Sequence, residues 1–258
     1  YGIRTTSLLE SVGAAVFGQL DWAITENLHF LPGIRFNYDK KDVNFNRETY
    51  GGLDTTNPAL LAIKRSVYAP QNFIAGVEDQ NWSGQATLAY QINPRINTFG
   101  TFSTSYKPVG INLGGLPTAA GQPLLELAEV KPEFVRHVEF GLKTTPVKGA
   151  ALNVVFHNTN LEDYQTLVQT AEVGVNRGYL ANADEVRVIG VELDGNIRIS
   201  SSVTLTGALA YTDGIYVSFP NAPVPLEETG GDLAFKDISG GRLPGISKWA
   251  GSFGTEYA

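Results

Sequence analysis

The chain has 258 residues, with 19 Lys and Arg against 26 Asp and Glu, a formal net charge of −7, three histidines and no cysteine. That balance offers no basic stripe to neutralise phosphates, which excludes nucleic acid as a partner, and the missing cysteine excludes a disulfide framework and thiolate metal sites. Mean hydropathy is −0.07, and no stretch approaches the roughly 18 consecutive apolar residues of a membrane helix, whereas strands apolar on one face only remain possible.

Alternation begins at residues 14–25, with Val16, Gly18, Leu20 and Trp22 on one face and Phe17, Gln19 and Asp21 on the other. After the turn Thr25-Glu26-Asn27, residues 28–38 set Leu28, Phe30, Pro32, Ile34 and Phe36 against His29, Gly33, Arg35 and Asn37, a period of two. Pro32 removes one ladder donor from that strand. Residues 39–80 are polar and irregular, with Gly51-Gly52 and Asn57-Pro58, and read as a first long loop.

Residues 82–92 alternate again, turn at Asn93-Pro94-Arg95, and return as 96–106, where Phe99 opposes Phe102 and Tyr106 in parity and leaves the facing open. A second long loop, 107–135, is rich in Gly and Pro. Residues 136–145 place Val138, Phe140 and Leu142 against Glu139, Gly141 and Lys143. The turn 146–149 leads to a strand with Leu152, Val154 and Phe156 outward and Asn153, Val155, His157 and Thr159 inward, followed by a third excursion over about 161–184.

The clearest strand is 186–199, where Ile189, Val191, Leu193, Ile197 and Ile199 alternate with Gly190, Glu192, Asp194, Asn196 and Arg198; no apolar core accepts those polar groups in register. Ser200-Ser201-Ser202 turns into 203–211, a fourth long loop covers 214–246, and 247–257 closes the series with Trp249, Phe253 and Tyr257 outward.

Nine strands of about ten residues, joined alternately by short turns and long loops, predict an all-β fold: a transmembrane antiparallel β-barrel, with short turns toward the periplasm and long loops outside. The first and ninth strands both descend, and an odd count leaves edges whose backbone lipid cannot satisfy. Residues 1–258 therefore read as a partial outer-membrane barrel, an arc of a larger wall. The rival reading, a soluble all-β binding protein, predicts that the face of Ile189, Val191, Leu193, Ile197 and Ile199 is covered by a second sheet.

Several segments resemble the barrel of TonB-dependent outer-membrane receptors of the ferric-siderophore type. They are Phe17-Gly18-Gln19 with Pro32-Gly33-Ile34-Arg35-Phe36; Trp82-Ser83-Gly84 with Ala89-Tyr90; Ser105-Tyr106-Lys107 with Gly110, Asn112 and Gly114-Gly115; Lys131-Pro132-Glu133 with Val138-Glu139-Phe140-Gly141-Leu142-Lys143; Gly190-Val191-Glu192; and Gly241-Arg242-Leu243-Pro244 with Trp249. Their order and spacing cover nearly the whole chain. The resemblance implies a barrel of about twenty-two strands, an N-terminal plug not found in these residues, and uptake of a scarce nutrient energised through TonB. It further implies a small iron complex as ligand and the outer membrane of a Gram-negative bacterium as location. A passive porin-like channel and a structural partner in an envelope complex are the alternatives.

No phosphate loop, nucleophile elbow or triad context is present, so an enzyme is not expected and no cofactor is implied. The inward positions carry Arg35, Lys107, Lys143, Arg198 and Lys248 against Asp21, Asp39, Glu139, Glu192, Asp194 and Glu256, a balance that announces neither an anion nor a cation pore. Of these, Arg35, Glu139, Lys143, Glu192 and Arg198 are the candidate lumen-facing residues, with Arg and Glu expected to pair across the wall. His137 and His157 share that face with Glu139 and form a speculative metal pair. Trp22, Phe36, Tyr38, Tyr90, Tyr211, Trp249 and Tyr257 lie near strand ends and read as interfacial girdles. The loop aromatics Tyr50, Tyr68, Phe73, Tyr179, Tyr216, Phe219 and Phe235 either stack on a ligand or pack the loops on themselves.

Overall fold

The computed structural model describes residues 2–52, 54–61, 70–119, 122–169, 178–228 and 235–257. Nine long strands make one antiparallel sheet: β1 Gly2–Gln19, β2 Leu28–Tyr50, β3 Gln71–Asn93, β4 Ile96–Lys107, β5 Glu133–Thr144, β6 Ala150–Gln169, β7 Gly178–Arg198, β8 Val203–Ser218 and β9 Trp249–Tyr257. Each pairs with its sequence neighbours, and Trp22–Ala23 continues β1 along β2. Such a meander satisfies every interior strand from both sides, as a wall in hydrocarbon must.

Three of the four short turns are held by their own polar side chains. Thr25 Oγ1 accepts from the Asn27 and Leu28 amides at 3.3 and 3.1 Å, Asn93 Oδ1 from Arg95 at 2.9 Å, and Ser200 Oγ from Ser202 and Val203 at 3.2 and 3.1 Å. Pro32 leaves its mark: β1 breaks at Leu20 and Asp21, opposite the residue without an N–H. One bond survives, from the Leu20 amide to the Pro32 carbonyl at 3.0 Å.

The strands outrun their expected ends. β2 continues through Tyr50 instead of stopping at Tyr38, β3 starts at Gln71, β6 reaches Gln169, β7 starts at Gly178 and β8 reaches Ser218. Much of what read as loop in 39–80, 161–184 and 214–246 is strand. The reason is an inversion of hydrophobic phase. Along β2 the even positions Phe30, Ile34 and Phe36 are apolar up to Tyr38, after which the odd positions Val43 and Phe45 take over and are buried at 2% and 0% exposure. β3 mirrors this, with Phe73 buried on the odd face and Trp82 exposed on the even one. A shift of one residue in phase swaps the faces without interrupting the strand.

Below the inversion the even face of β2 and its continuation round the sheet is apolar and uncovered: Trp82 is 65% exposed, Phe140 60% and Phe253 76%. From Trp82 to Ile92 the strand advances about 33 Å, or about 25 Å in height at a 40° tilt, the height of a lipid-facing band. Tilted aromatic pairs Phe36–Trp82 and Tyr211–Trp249, each with centroids 4.9 Å apart, stand on this face, while Trp22, Tyr90 and Tyr257 are exposed near the short turns. Ile197 and Ile199 are likewise exposed, and no second sheet of the described residues covers that face. β4 settles its open facing: Phe102 joins Ala86 and Val138 on the apolar side, and Phe99 faces the polar side opposite Gly141.

Above the inversion the connections fold back onto the polar face and bury it. Residues 108–132 pack Ile111, Leu116 and Ala128 on Val43, Phe45 and Phe73. The segment after β8 packs Phe219, Ala222 and Leu243 on Ala183, Val186 and Tyr216. Phe45 stacks on Phe73 with centroids 4.7 Å apart. Phe45→Ala is expected to cost about 3–5 kcal/mol of local stability. Hydrogen exchange checks this: protection should fall in 108–132 and stay unchanged in the turn-proximal halves of β2 and β3.

Candidate functional site

Directly opposed residues of an antiparallel ladder project to the same face, and the register therefore sorts the polar side chains. Arg35 opposes Phe17 and Ser83, Glu139 opposes Thr101 and His157, Lys143 opposes Asn97 and Asn153, Glu192 opposes Val155 and Ala210, and Arg198 opposes Thr204. All five candidates share the face opposite the apolar band.

The pairing on that face differs from expectation. Arg35 donates from Nε to Asn37 Oδ1 at 2.5 Å and stands over the Phe17 ring at 5.4 Å, and Lys143 lies 5.4 Å from the Phe99 centroid. Neither reaches a carboxylate among the described residues. Three of the inward carboxylates instead flank histidines: Asp21 with His29 at 2.8 Å, Glu139 with His137 at 3.5 Å, and Glu192 with His157 at 3.9 Å. Thr159 Oγ1 holds His137 Nδ1 at 2.8 Å. His157 lies directly over Gly190, where a Cβ would meet its Nε2 at 2.3 Å; the glycine of Gly190-Val191-Glu192 is what lets the ring lie flat on the wall.

The two imidazoles stack 6.1 Å apart at 24°. Two nitrogens on one zinc sit only about 3.4 Å apart, since each lies roughly 2.1 Å from the metal. Stacked rings aim their lone pairs side by side rather than at a common point, and no group of three or more His, Cys, Asp or Glu among the described residues is placed to hold a metal ion.

The mouth above is held by residues the sequence did not single out by role. Three side-chain amides each pair with a backbone unit as a strand neighbour would, one donor and one acceptor apiece. Gln71 receives the Leu116 amide at 3.0 Å and donates to its carbonyl at 2.6 Å. Asn112 does the same to Leu180 at 2.7 and 3.0 Å, and Asn182 to Lys131 at 3.1 and 3.0 Å. The segment between β4 and β5 is thereby tied to β3 through Leu116 and to β7 through Asn112 and Lys131, strands that β4, β5 and β6 separate in the sheet. Gln165 donates to the carbonyls of Pro108 and Lys131, Lys41 to that of Val109, and Arg47 to that of Gly114. Gly115, at φ +87°, leaves room for the guanidinium: a Cβ there would meet Arg47 Nη1 at 2.5 Å.

The second inward fold extends the wall. Leu243 donates to Gly214, Tyr216 to Gly241 and Thr212 to Lys248 at 2.9–3.0 Å, so 240–248 runs beside β8 above the start of β9. Among the loop aromatics Phe73, Tyr179, Tyr216 and Phe219 are buried and pack the mouth on itself, Tyr50 and Phe235 are exposed, and Tyr68 lies outside the described residues. Burial pushes the Tyr179 phenol up, and Tyr164 likewise, with Tyr216 and Glu133 adding to it. Ser239, donating from hydroxyl and amide, holds the Asp237 carboxyl below its ordinary value.

Asn112 and Gly114-Gly115 belong to a stretch already conspicuous in the sequence, but their partners lie 67–68 residues away. Gln71, Gln165 and Asn182 carry no local signal at all. Their role appears only when the polar face is folded over.

An antiparallel meander with one apolar, uncovered face and one polar face is the wall of a transmembrane β-barrel. The sequence matches the TonB dependent receptor-like β-barrel family over residues 2–258, and the chain belongs to that family, whose members are outer-membrane transporters of Gram-negative bacteria and not enzymes. No curated protein matches. Among solved structures, the chain is similar to the ferric yersiniabactin uptake receptor FyuA from Yersinia pestis, with TM-score 0.70 and 17% identity over 98% of this chain and 32% of that one. It is similar to the siderophore receptor PiuA from Acinetobacter baumannii, with TM-score 0.67 and 20% identity over 98% and 32%. It is also similar to the copper transporter OprC, with TM-score 0.63 and 16% identity over 97% and 33%. The chain spans about a third of the length of each.

Two outcomes follow from this geometry. Asn112→Ala should cost about 1–3 kcal/mol by leaving half-buried backbone groups of Leu180 and Leu127 without their side-chain partner, read as faster proteolysis within 108–132 in the folded receptor. Zinc titrated by calorimetry should bind no more tightly to the parent than to the double variant His137→Ala, His157→Ala.

Proposed function

We propose that this wall belongs to a TonB-dependent transporter that carries a scarce nutrient, a ferric siderophore or related iron complex, across the outer membrane of a Gram-negative bacterium. Coupling to TonB runs through a plug domain, and outer-membrane lipid surrounds the apolar band. The observation that carries this reading is the family wall together with its mouth: connections that fold onto the polar face and are pinned there by Gln71, Asn112 and Asn182 make a shaped vestibule above the lipid band. FyuA, a ferric yersiniabactin uptake receptor, and PiuA, a siderophore receptor, support the ligand class.

In this arrangement the chain supplies binding and guidance. The vestibule presents fixed walls, and fixed walls reduce the ordering cost of capturing a rare ligand. Glu139, Glu192, Arg35, Lys143 and Arg198 then line the way inward as wettable wall. No bond chemistry is required of any of them.

A strain lacking the gene, grown under iron limitation on a panel of ferric siderophores, should lose growth on at least one and regain it with the gene. Uptake of that complex, labelled with iron, should stop when an uncoupler collapses the proton gradient. Uptake that persists with the uncoupler would identify a passive channel, and rescue by copper but not iron complexes would remove the iron reading while keeping active transport.

A further inference from the structure

Two backbone hydrogen bonds outside the ladder lock three cations together at the end of the wall that carries the short turns. The Thr145 amide donates to the Arg95 carbonyl at 2.9 Å, and the Arg198 amide to the Gly149 carbonyl at 2.8 Å. The β5–β6 turn, which bears Lys148, is thus joined to the β3–β4 turn on one side and to the end of β7 on the other. Gly149, at φ +83°, permits the close approach: a Cβ there would meet the Arg198 Cβ at 3.3 Å.

Arg95, Lys148 and Arg198 line one cavity of about 740 Å³, in which Glu256 is the one carboxylate among the described residues. A neighbouring hollow of about 210 Å³ shares Arg95 and Thr145 with it and adds Lys143. The next carboxylate along the wall, Asp194, accepts from Asn153 Nδ2 at 2.9 Å. None of the four cations makes an ion pair among the described residues, although other Lys, Arg and His of the wall and its loops reach Asp or Glu at 2.5–3.9 Å. Both hollows open on the polar face. Arg198, Thr204 and Glu256 form one directly opposed row, and Lys143 opposes Asn97 and Asn153. Lipid lies across the wall, so the occupant comes from the lumen.

From Arg95 at the start of β4 to Arg198 at the end of β7 is three strand spacings, about 14 Å. A single phosphate or chloride cannot engage cations so far apart, whereas one molecule with several anionic groups can. The cavity has the volume of a small-molecule site. We infer that this rim binds a small polyanion and, resting on the transport reading above, that the iron complex carried is itself anionic. Three catecholates around a ferric ion leave a trianion, and carboxylate ligands also leave negative charge, but three hydroxamates leave a neutral complex. The guanidinium forks and the ammonium give charge-assisted hydrogen bonds to such a ligand. Their summed field concentrates it at the inner end of the polar face.

Two measurements on the full-length receptor test this. In calorimetry with citrate as the probe polyanion, the double variant Lys148→Gln, Arg198→Gln should bind on the order of tenfold more weakly than the parent, and the charge-keeping pair Lys148→Arg, Arg198→Lys should restore most of the affinity. In cells, uptake of labelled iron is followed from a ferric tris-catecholate, from ferric citrate and from a neutral ferric trihydroxamate. The parent should carry at least one of the two anionic complexes faster than the neutral one. For that complex the Gln pair should lower the maximal rate and leave the half-saturating concentration, set at the mouth, unchanged. Citrate affinity equal in parent and Gln pair, or a trihydroxamate carried faster than both anionic complexes, overturns the proposal. A Gln pair that slows all three complexes alike also overturns it and would assign the cations to an acidic polypeptide segment. Absence of any uptake would remove the transport reading, while the citrate comparison still decides the site.

Discussion

The rest of the structure depends on one constraint: in hydrocarbon every backbone N–H and C=O must find a partner within the protein. The continuous ladder meets it for every strand between β1 and β9, and in doing so forces side chains to alternate between two solvents. Lipid selects Trp82, Phe140 and Phe253 on one side, and the other side is free to carry Arg35, Glu139 and Glu192. Even the exception obeys the rule. Pro32 costs the ladder a donor, and the break is confined to two residues of β1, a strand at the edge of the described sheet.

Outside the lipid band the same ladder continues under the opposite selection. Water now faces the outward side, so apolar groups are stable only if they point inward, and Val43, Phe45 and Phe73 do so beneath residues 108–132. The inversion of phase along β2 and β3 is thus a direct mark of where lipid ends. It also explains the side-chain amides. A loop laid across strands brings unpaired backbone into a buried place, and Gln71, Asn112 and Asn182 supply, from side chains, the donor and acceptor that a neighbouring strand would have supplied.

That division decides what the sequence could disclose. Within the lipid band alternation is enforced by solvent and was legible strand by strand, as in 186–199, where apolar Ile189 to Ile199 alternate with Gly190 to Arg198. The turns were legible because Thr25, Asn93 and Ser200 cap their own neighbours within three residues. The strand extensions were not, because a period of two that changes phase at residues 39–42 looks like irregularity. The mouth was not legible either: it rests on pairs such as Asn112–Leu180 and Gln71–Leu116, separated by 68 and 45 residues, and a side-chain amide carries no mark of the distant backbone it will meet. For the loop aromatics, composition left two roles open, and burial assigned Phe73, Tyr179, Tyr216 and Phe219 to packing.

The polar face shows most clearly why position outweighs count. Five cations against six carboxylates suggest a neutral lining, but they are not spread evenly along the wall. Glu139 and Glu192 stand in the middle of it beside His137 and His157, while Arg95, Lys148 and Arg198 gather with Glu256 at the turn-bearing rim and make no ion pair among the described residues. Carboxylates in the middle are set among polar side chains, whereas cations at a rim project a field into the solvent beyond it. A molecule moving along this face therefore meets a hydrogen-bonding surface first and a net positive edge last, an asymmetry that no sum over the composition contains.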